Sequence, residues 1–193
     1  AQMAAAIGQA CENLAPAEIG WGVGEKPELV CTRRWLMKPG TVPPDPFGGT
    51  HDRVRFIPPA ASPDMVEPAG PVDPQVSVLS IRHRDGRPMA LLGNFGIHYA
   101  GGAKGREVSA DYFGVFARRV EEMLGEASKE CPFVAMMSNG TSGDVYNGTD
   151  LTKPRVKKGP YVHIQDMGNA LAEKAMEIYA RIEHRQSMTV AMR

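Results

Sequence analysis

The stretch Met89-Ala-Leu-Leu-Gly-Asn-Phe95 decides the fold, and it runs on into a glycine-rich loop that contains His98. Its residues are apolar at both alternating sets of positions, which is typical of a strand covered on both faces. A second short apolar run, Phe133-Val-Ala-Met-Met137, is likewise followed by a polar, glycine-rich loop. The segment between the two runs carries apolar residues at helical spacing, beginning after Ser109, a good helix N-cap.

Residues 89–137 therefore predict a strand–helix–strand unit, whose crossover is right-handed and whose strands are parallel. Upstream, alternating apolar positions over Val76–His83 predict another strand, and Asp85-Gly86 supplies a tight hairpin turn into the next one. The sequence thus predicts an α/β fold with a mixed sheet and flanking helices. Parallel strands place the His98 loop and the Asn139–Asn147 loop at the same edge of the sheet, where α/β proteins bind ligands.

The remainder of the chain flanks this unit. Apolar residues at helical spacing predict three helices. The first covers residues 1–14, the second is the helix of the central unit and ends near Glu126, and the third covers residues from about 161 to 183. Short strands are predicted over Ala17–Gly24 and Leu29–Met37. Residues 38–74 are rich in Pro and Gly, which predicts a long loop without regular ladders or helices. Such a loop is either a functional surface element or poorly ordered.

Bulk composition narrows the function classes. The 22 Lys and Arg residues balance 22 Asp and Glu residues, which argues against a general nucleic-acid-binding or membrane-surface role. No apolar run approaches the roughly 18–20 residues of a membrane span. The cysteines at 11, 31 and 131 form no closely spaced pair and are predicted to be buried thiols.

The two ends of the chain resemble a helix and a strand that are cut short. The first predicted helix has no capping residue ahead of it, and Ser187–Arg193 resembles the beginning of a strand. We therefore expect a fragment of a larger domain.

His98 is the first candidate for chemistry. After the end of a strand it can be a metal ligand, a general base or a packed core histidine. The sequence lacks an HExxH motif, so any metal would need ligands from distant parts of the chain. The remaining histidines, His51, His83, His163 and His184, are most simply surface residues.

The loop Asn139-Gly-Thr-Ser142-Gly143-Asp144 is the second candidate. Its backbone N–H groups can face an oxyanion or a phosphate. It is neither a P-loop nor a nucleophile elbow, because the required Lys and final Gly are absent. A tight turn explains the same residues. A metal-free alternative has Ser142 as nucleophile, His98 as base, and Asp144 or Asp111 orienting that base.

Arg33 and Arg34 lie together in a predicted strand. Paired arginines can bind a carboxylate or polarise a carbonyl, and they also occur at solvated strand edges.

Three motifs in this order resemble the neutral/alkaline, non-lysosomal ceramidase family, and especially its bacterial ceramidase-like hydrolases. They are Gly93-Asn-Phe-Gly-Ile-His98, Val108-Ser-Ala-Asp-Tyr-Phe-Gly114 and Ser138-Asn-Gly-Thr-Ser-Gly-Asp-Val145. The resemblance extends over residues 1–193 as a middle segment of the catalytic domain. It implies a zinc-dependent amidase that cleaves a small-molecule or lipid amide.

The resemblance also implies roles for individual residues. In the family, two histidines, a glutamate and a tyrosine hold the zinc, and His98 matches the second histidine. The other ligands would lie outside this segment. Tyr146 and Asn147 stand where the family has a serine that acts in amide cleavage and a proline. The candidate catalytic residues are Asp144, Asn139 and Tyr146, and the candidate substrate-binding residues are Arg33, Ser142 and Gly143.

Two alternatives to the zinc hydrolase stay open at this point. The first is the metal-free serine hydrolase built on Ser142, His98 and Asp144. The second is a non-catalytic module that binds a lipid or a polar small molecule, which the changed residue at position 146 would favour.

Overall fold

The structure is a computed structural model that describes residues 2–125, 133–147, 150–189 and 191. In chain order its helices and strands are α1 (Gln2–Glu12), β1 (Ala17–Glu25), β2 (Cys31–Thr32), β3 (Arg34–Met37), β4 (Val54–Phe56), β5 (Met65–Pro68), β6 (Gln75–His83), β7 (Pro88–Phe95), α2 (Asp111–Leu124), β8 (Val134–Asn139), β9 (Val145–Tyr146) and α3 (Val162–Tyr179).

The main sheet has the strand order β1-β6-β7-β8. The strand pairs β1–β6 and β6–β7 are antiparallel, whereas β7 and β8 are parallel. The predicted α/β fold with a mixed sheet and a parallel strand–helix–strand unit is confirmed. No helix in the described ranges combines the length and the apolar character needed to cross a bilayer.

The core lies between this sheet and the helices α2 and α3. It includes Val76 on β6, Leu91 and Phe95 on β7, Phe116 on α2 and Leu171 on α3, each with 0% of its surface exposed. β7 is an interior strand with a neighbour on either side, as predicted. The expectation that both of its faces are covered was wrong: in the described residues α2 and α3 cover only the face of Leu91 and Phe95, and Leu92 on the other face is half-buried.

The two helices approach closely at Gly168 of α3. A Cβ added there would lie 2.5 Å from the Cβ of Val115 and 3.0 Å from the carbonyl oxygen of Tyr112, both on α2. Real Cβ atoms do not tolerate such distances, so any side chain would push the helices apart.

Replacing Gly168 by Ala is therefore expected to lower the free energy of unfolding by about 1–3 kcal/mol, because overpacking outweighs the higher helix propensity of alanine. Urea denaturation of the protein measures the change. Gly8→Ala is the matched control, since Gly8 is also helical and an added Cβ meets nothing within 4 Å. Equal stability of the Gly168→Ala variant and the parent protein would contradict the close approach.

The prediction of one strand over Leu29–Met37 was wrong. A 3₁₀ helix occupies Pro27–Leu29, and β2 and β3 belong to two different small sheets. β2 pairs with β9, whereas β3 lies between β4 and β5. Arg33 lies between β2 and β3 and joins the two small sheets. Its N–H donates to the Asp144 carbonyl at 2.9 Å, and its carbonyl accepts from the Ile57 N–H at 2.7 Å.

The prediction that residues 38–74 hold no regular ladder was also wrong. Both β4 and β5 lie within this segment, and each pairs antiparallel with β3. The strands are only three and four residues long, so they fit between the prolines. Pro68 is the last residue of β5, which is an edge strand of the small sheet, and prolines are tolerated at such positions.

Helix α1 confirms the first predicted helix, but none of its residues is buried. The buried-thiol prediction was wrong for Cys11, which is exposed on α1. Cys31 is half-buried, and burial raises the pKa of its thiol to about 11. Cys131 lies outside the described residues.

The other helix ends differ slightly from expectation. α2 begins at Asp111, and the Ser109 hydroxyl accepts the Asp111 N–H at 3.0 Å without being the capping residue itself. The predicted end near Glu126 lies outside the described residues. α3 ends at Tyr179, before the predicted position 183, and residues 187–189 form no strand.

Candidate functional site

The carboxyl edge of the main sheet brings the two glycine-rich loops together, as predicted. Asn94 is in register with Ser138, and Phe95 is in register with Asn139, so β7 and β8 end side by side. The loop of residues 96–102 and the loop of residues 140–147 leave from this edge.

The two loops touch backbone to backbone. The Gly140 N–H donates to the Phe95 carbonyl at 3.0 Å. A Cβ added to Gly140 would lie 3.0 Å from the Cα of Gly96, and a Cβ added to Gly96 would lie 3.2 Å from the carbonyl oxygen of Thr141. Gly96 and Gly140 are therefore explained by this approach and not by a P-loop or a nucleophile elbow.

The ends of β7 and β8 are also linked through side chains. The Asn94 Nδ2 donates to the Ser138 Oγ at 2.8 Å, and that hydroxyl donates to the Gly93 carbonyl at 3.3 Å. These bonds hold the starting points of both loops at a fixed separation.

Asp111 anchors the His98 loop from the start of α2. Its carboxylate accepts the N–H of Ala100 at 2.7 Å and that of Gly101 at 2.9 Å. The same carboxylate accepts the Tyr112 N–H at 2.7 Å. Asp111 has a φ of +51°, a conformation that costs a non-glycine residue free energy unless its surroundings enforce it. The role predicted for Asp111 was to orient the base of a metal-free triad, and this anchoring of the loop was not predicted.

Asn147 fixes the same loop from the other side. Its Nδ2 donates to the Ala100 carbonyl at 2.6 Å, and its own carbonyl lies 2.8 Å from the Nε2 of His163. The prediction that His163 is a simple surface residue was wrong, because it is half-buried and holds this loop. His184 is likewise half-buried, with its Nε2 at 3.0 Å from the Ser80 hydroxyl.

His98 lies half-buried in the anchored loop, with its ring centroid 4.5 Å from that of Tyr99. Burial, and then the nearby positive charge of Arg33, hold the pKa of His98 below its ordinary value. Both effects favour the neutral form of the imidazole. Within the described residues its ring makes no hydrogen bond, so its nitrogens are available to a ligand.

Arg33 projects from the junction of β2 and β3 towards aromatic rings. Its Cζ lies 5.8 Å from the centroid of Phe56 and 5.9 Å from that of Tyr146. The Cζ of Arg155 lies 5.5 Å from the same Tyr146 centroid. Two guanidinium groups thus flank one ring, at favourable cation–π distances.

Asp144 pairs with the neighbour of Arg33. Its Oδ1 lies 3.1 Å from the Nε of Arg34, and both side chains are about half exposed. The pair lacks the alignment of a hydrogen bond, so this oxygen is a buried acceptor without a donor among the described residues. The buried Nε of Arg33 is likewise without an acceptor there.

Ser142 interacts with Asn139, whose Nδ2 donates to the Ser142 hydroxyl at 3.0 Å. In the part of the chain that the structure describes, no hydrogen bond joins Ser142 to His98, or His98 to Asp144. Gly143 is exposed beside them. The residues of the metal-free triad therefore share one edge of the sheet without the hydrogen bonds of an assembled triad.

Two clefts flank the site. The larger, of about 510 Å³, has mainly apolar walls and is lined by residues that include Cys31, Thr32 and Trp35. The smaller, of about 380 Å³, is lined by the His98 loop at Ala100, Gly101 and Gly102 and by His163. Asp150 and Lys153 border both clefts.

The described residues do not assemble a complete metal site. Among the described residues, no three His, Cys, Asp or Glu side chains come close enough to hold a metal ion together. A single neutral imidazole fits one position of a zinc site.

Comparison with known proteins shows that this chain is similar to solved structures in its fold. The sequence matches no family model and no curated protein. The structure resembles that of neutral ceramidase from Pseudomonas aeruginosa, with a TM-score of 0.59 and 20% identity over 92% of this chain. It also resembles a ceramidase complexed with C2, with a TM-score of 0.59 and 18% identity over 90% of this chain. The chain spans about a quarter of the length of these proteins, 25% and 24%, so it shares the fold of one segment of a ceramidase.

Proposed function

We propose that this chain forms part of a zinc-dependent hydrolase of the neutral ceramidase type, which cleaves an amide bond in an N-acyl small molecule or lipid. The observation that carries the proposal is the position of His98. It lies at the carboxyl edge of the sheet, close to the guanidinium of Arg33, in a fold shared with ceramidases.

His98 would supply one zinc ligand. Its ring makes no hydrogen bond among the described residues, and the loop that carries it is fixed by Asp111 and Asn147. The other ligands would come from outside the described residues. When bound, zinc polarises a carbonyl and lowers the pKa of a bound water molecule towards neutrality.

The remaining residues would bind and orient the substrate. Arg33 would stabilise negative charge near the scissile carbonyl, and Asn139, Ser142 and Asp144 would offer polar groups to the substrate at the carboxyl edge of the sheet. The apolar walls of the larger cleft suit an acyl chain. In the reaction the C–N bond breaks, the oxygen of water joins the acyl carbon, and its protons are shared between the amine and the carboxylic acid produced.

Tyr146 stands where the ceramidase family has its catalytic serine, and we propose that it does not act as a nucleophile. Its ring already contacts the guanidinium groups of Arg33 and Arg155. We therefore assign Tyr146 to holding Arg33 in place.

Hydrolysis of N-acyl substrates by the intact protein, before and after removal of metal, tests this proposal. We expect about one zinc per chain by elemental analysis, loss of activity with a chelator and recovery on addition of zinc. Activity that resists chelation but is blocked by a serine-directed phosphonate would favour the Ser142 alternative. Binding of an N-acyl compound without turnover or zinc would favour the non-catalytic alternative.

A further inference from the structure

We propose that Arg33 and Arg155 bind a carboxylate of the substrate, so that the amide cleaved is anionic, as in an N-acyl amino acid. This inference rests on the proposed hydrolase function and specifies its substrate class.

The positive charge of Arg33 is not neutralised by the part of the protein that the structure describes. Arg33 makes no ion pair there, and its Nε is a buried donor without an acceptor. A buried donor without a partner costs the desolvation of that group, about 1–3 kcal/mol or more when it is charged. A ligand with an acceptor oxygen would remove this cost.

Arg155 adds a second positive charge that is also without an ion pair in the described ranges. It is exposed, and it meets the same Tyr146 ring as Arg33, at 5.5 Å against 5.9 Å. Both cations therefore lie within about 6 Å of one ring centroid, and no anion among the described residues pairs with either of them.

The carboxylates nearby form ion pairs or backbone hydrogen bonds with groups other than Arg33 and Arg155, although the Asp144 Oδ1 meets Arg34 without an aligned hydrogen bond. Asp144 lies against Arg34, Asp150 lies 3.1 Å from the Nζ of Lys153, and Asp111 accepts three backbone N–H groups. The site edge therefore has an excess of positive charge, although the whole chain is neutral.

A carboxylate fits this excess better than a neutral head group. A guanidinium binds a carboxylate through two parallel hydrogen bonds, which are stronger than bonds to neutral acceptors. In an N-acyl amino acid the carboxylate is attached to the carbon next to the amide nitrogen. A guanidinium near the scissile carbonyl can therefore also reach the carboxylate.

The test compares N-octanoylglycine with N-octanoylglycinamide, which differ only in the terminal group, an anionic carboxylate against a neutral carboxamide of similar size. In the intact, zinc-loaded protein, kcat/KM is expected to be at least about tenfold higher for the carboxylate. Arg155→Gln is expected to abolish most of this preference by raising KM for N-octanoylglycine, while values for the amide change less than about twofold. Arg84→Gln is the matched control, since Arg84 is exposed at the opposite end of the sheet.

Calorimetric binding of N-octanoylglycine separates failure of this inference from failure of the hydrolase proposal. Binding that requires Arg33 and Arg155 without hydrolysis of either compound would support the carboxylate site and reject the hydrolase. Equal hydrolysis of both compounds, unaffected by Arg155→Gln, would overturn the carboxylate site and leave the hydrolase standing. Absence of both binding and hydrolysis in the folded, zinc-loaded protein would reject both.

Discussion

Replacing His98 by Gln is expected to remove bound zinc from the intact protein and to lower kcat/KM for an N-acyl substrate by at least about a hundredfold. Loss of a group that merely orients a zinc ligand costs about 10- to 100-fold in metal affinity or activity, so loss of a ligand should cost no less. Gln fills a similar volume, which keeps the loop packed while removing the imidazole nitrogens that would coordinate the metal.

Elemental analysis and initial rates measure the two effects, and thermal unfolding verifies that the variant stays folded. His51→Gln is the matched control because His51 is exposed in the segment between β3 and β4. If His98→Gln retained both full zinc content and full activity, His98 would be a packed loop histidine and the metallohydrolase proposal would fail. Loss of activity with zinc retained would instead assign His98 to proton transfer.

The central unit of the fold could be predicted from the sequence because its signals are local. Apolar character on both faces identified β7 as an interior strand, and the crossover rule fixed β7 and β8 as parallel. The meeting of the two loops followed from that geometry. Gly96 and Gly140 had been noted as parts of glycine-rich loops, and the structure supplies the backbone contact that requires them.

The small sheets could not be predicted, because each of their strands depends on a distant partner. β4 and β5 are too short to show periodicity, and they pair with β3 across intervening proline-rich segments. The division between β2 and β3 depends on Arg33, whose backbone bonds reach Asp144 on one side and Ile57 on the other. Pairing between residues so far apart in the chain leaves no pattern in any short stretch of sequence.

The same limit applies to the candidate site. His98 and the loop of residues 140–147 were found because polar, glycine-rich segments follow strands. The contact of Arg33 and Arg155 with Tyr146 was not predicted, since Arg33 is more than a hundred residues away from the other two and no local pattern links them. Their grouping is the observation behind the proposal that Tyr146, a candidate catalytic residue on the sequence alone, holds Arg33 in place.

Replacing Asp111 by Asn is expected to weaken zinc binding about tenfold or more and to lower the free energy of unfolding by about 1–3 kcal/mol. The carboxylate accepts the N–H groups of Ala100 and Gly101, which lie in the loop that carries His98. In Asn one of the two oxygens becomes an NH₂ donor, which would face a backbone N–H. Asn also tolerates the positive φ of this position, so the change tests the hydrogen bonds and adds no backbone strain.

Asp85→Asn is the matched control, because the Asp85 carboxylate also accepts a backbone N–H, that of Arg87, in the hairpin at the opposite end of the sheet. Zinc titration separates positioning from simple stabilisation. Weaker zinc binding in Asp111→Asn but not in Asp85→Asn would show that the Asp111 carboxylate positions His98 for the metal. Unchanged zinc affinity together with lowered stability would restrict Asp111 to holding the start of α2 against the sheet, and the loop would then keep His98 in place through Asn147 and the Gly96–Gly140 contact.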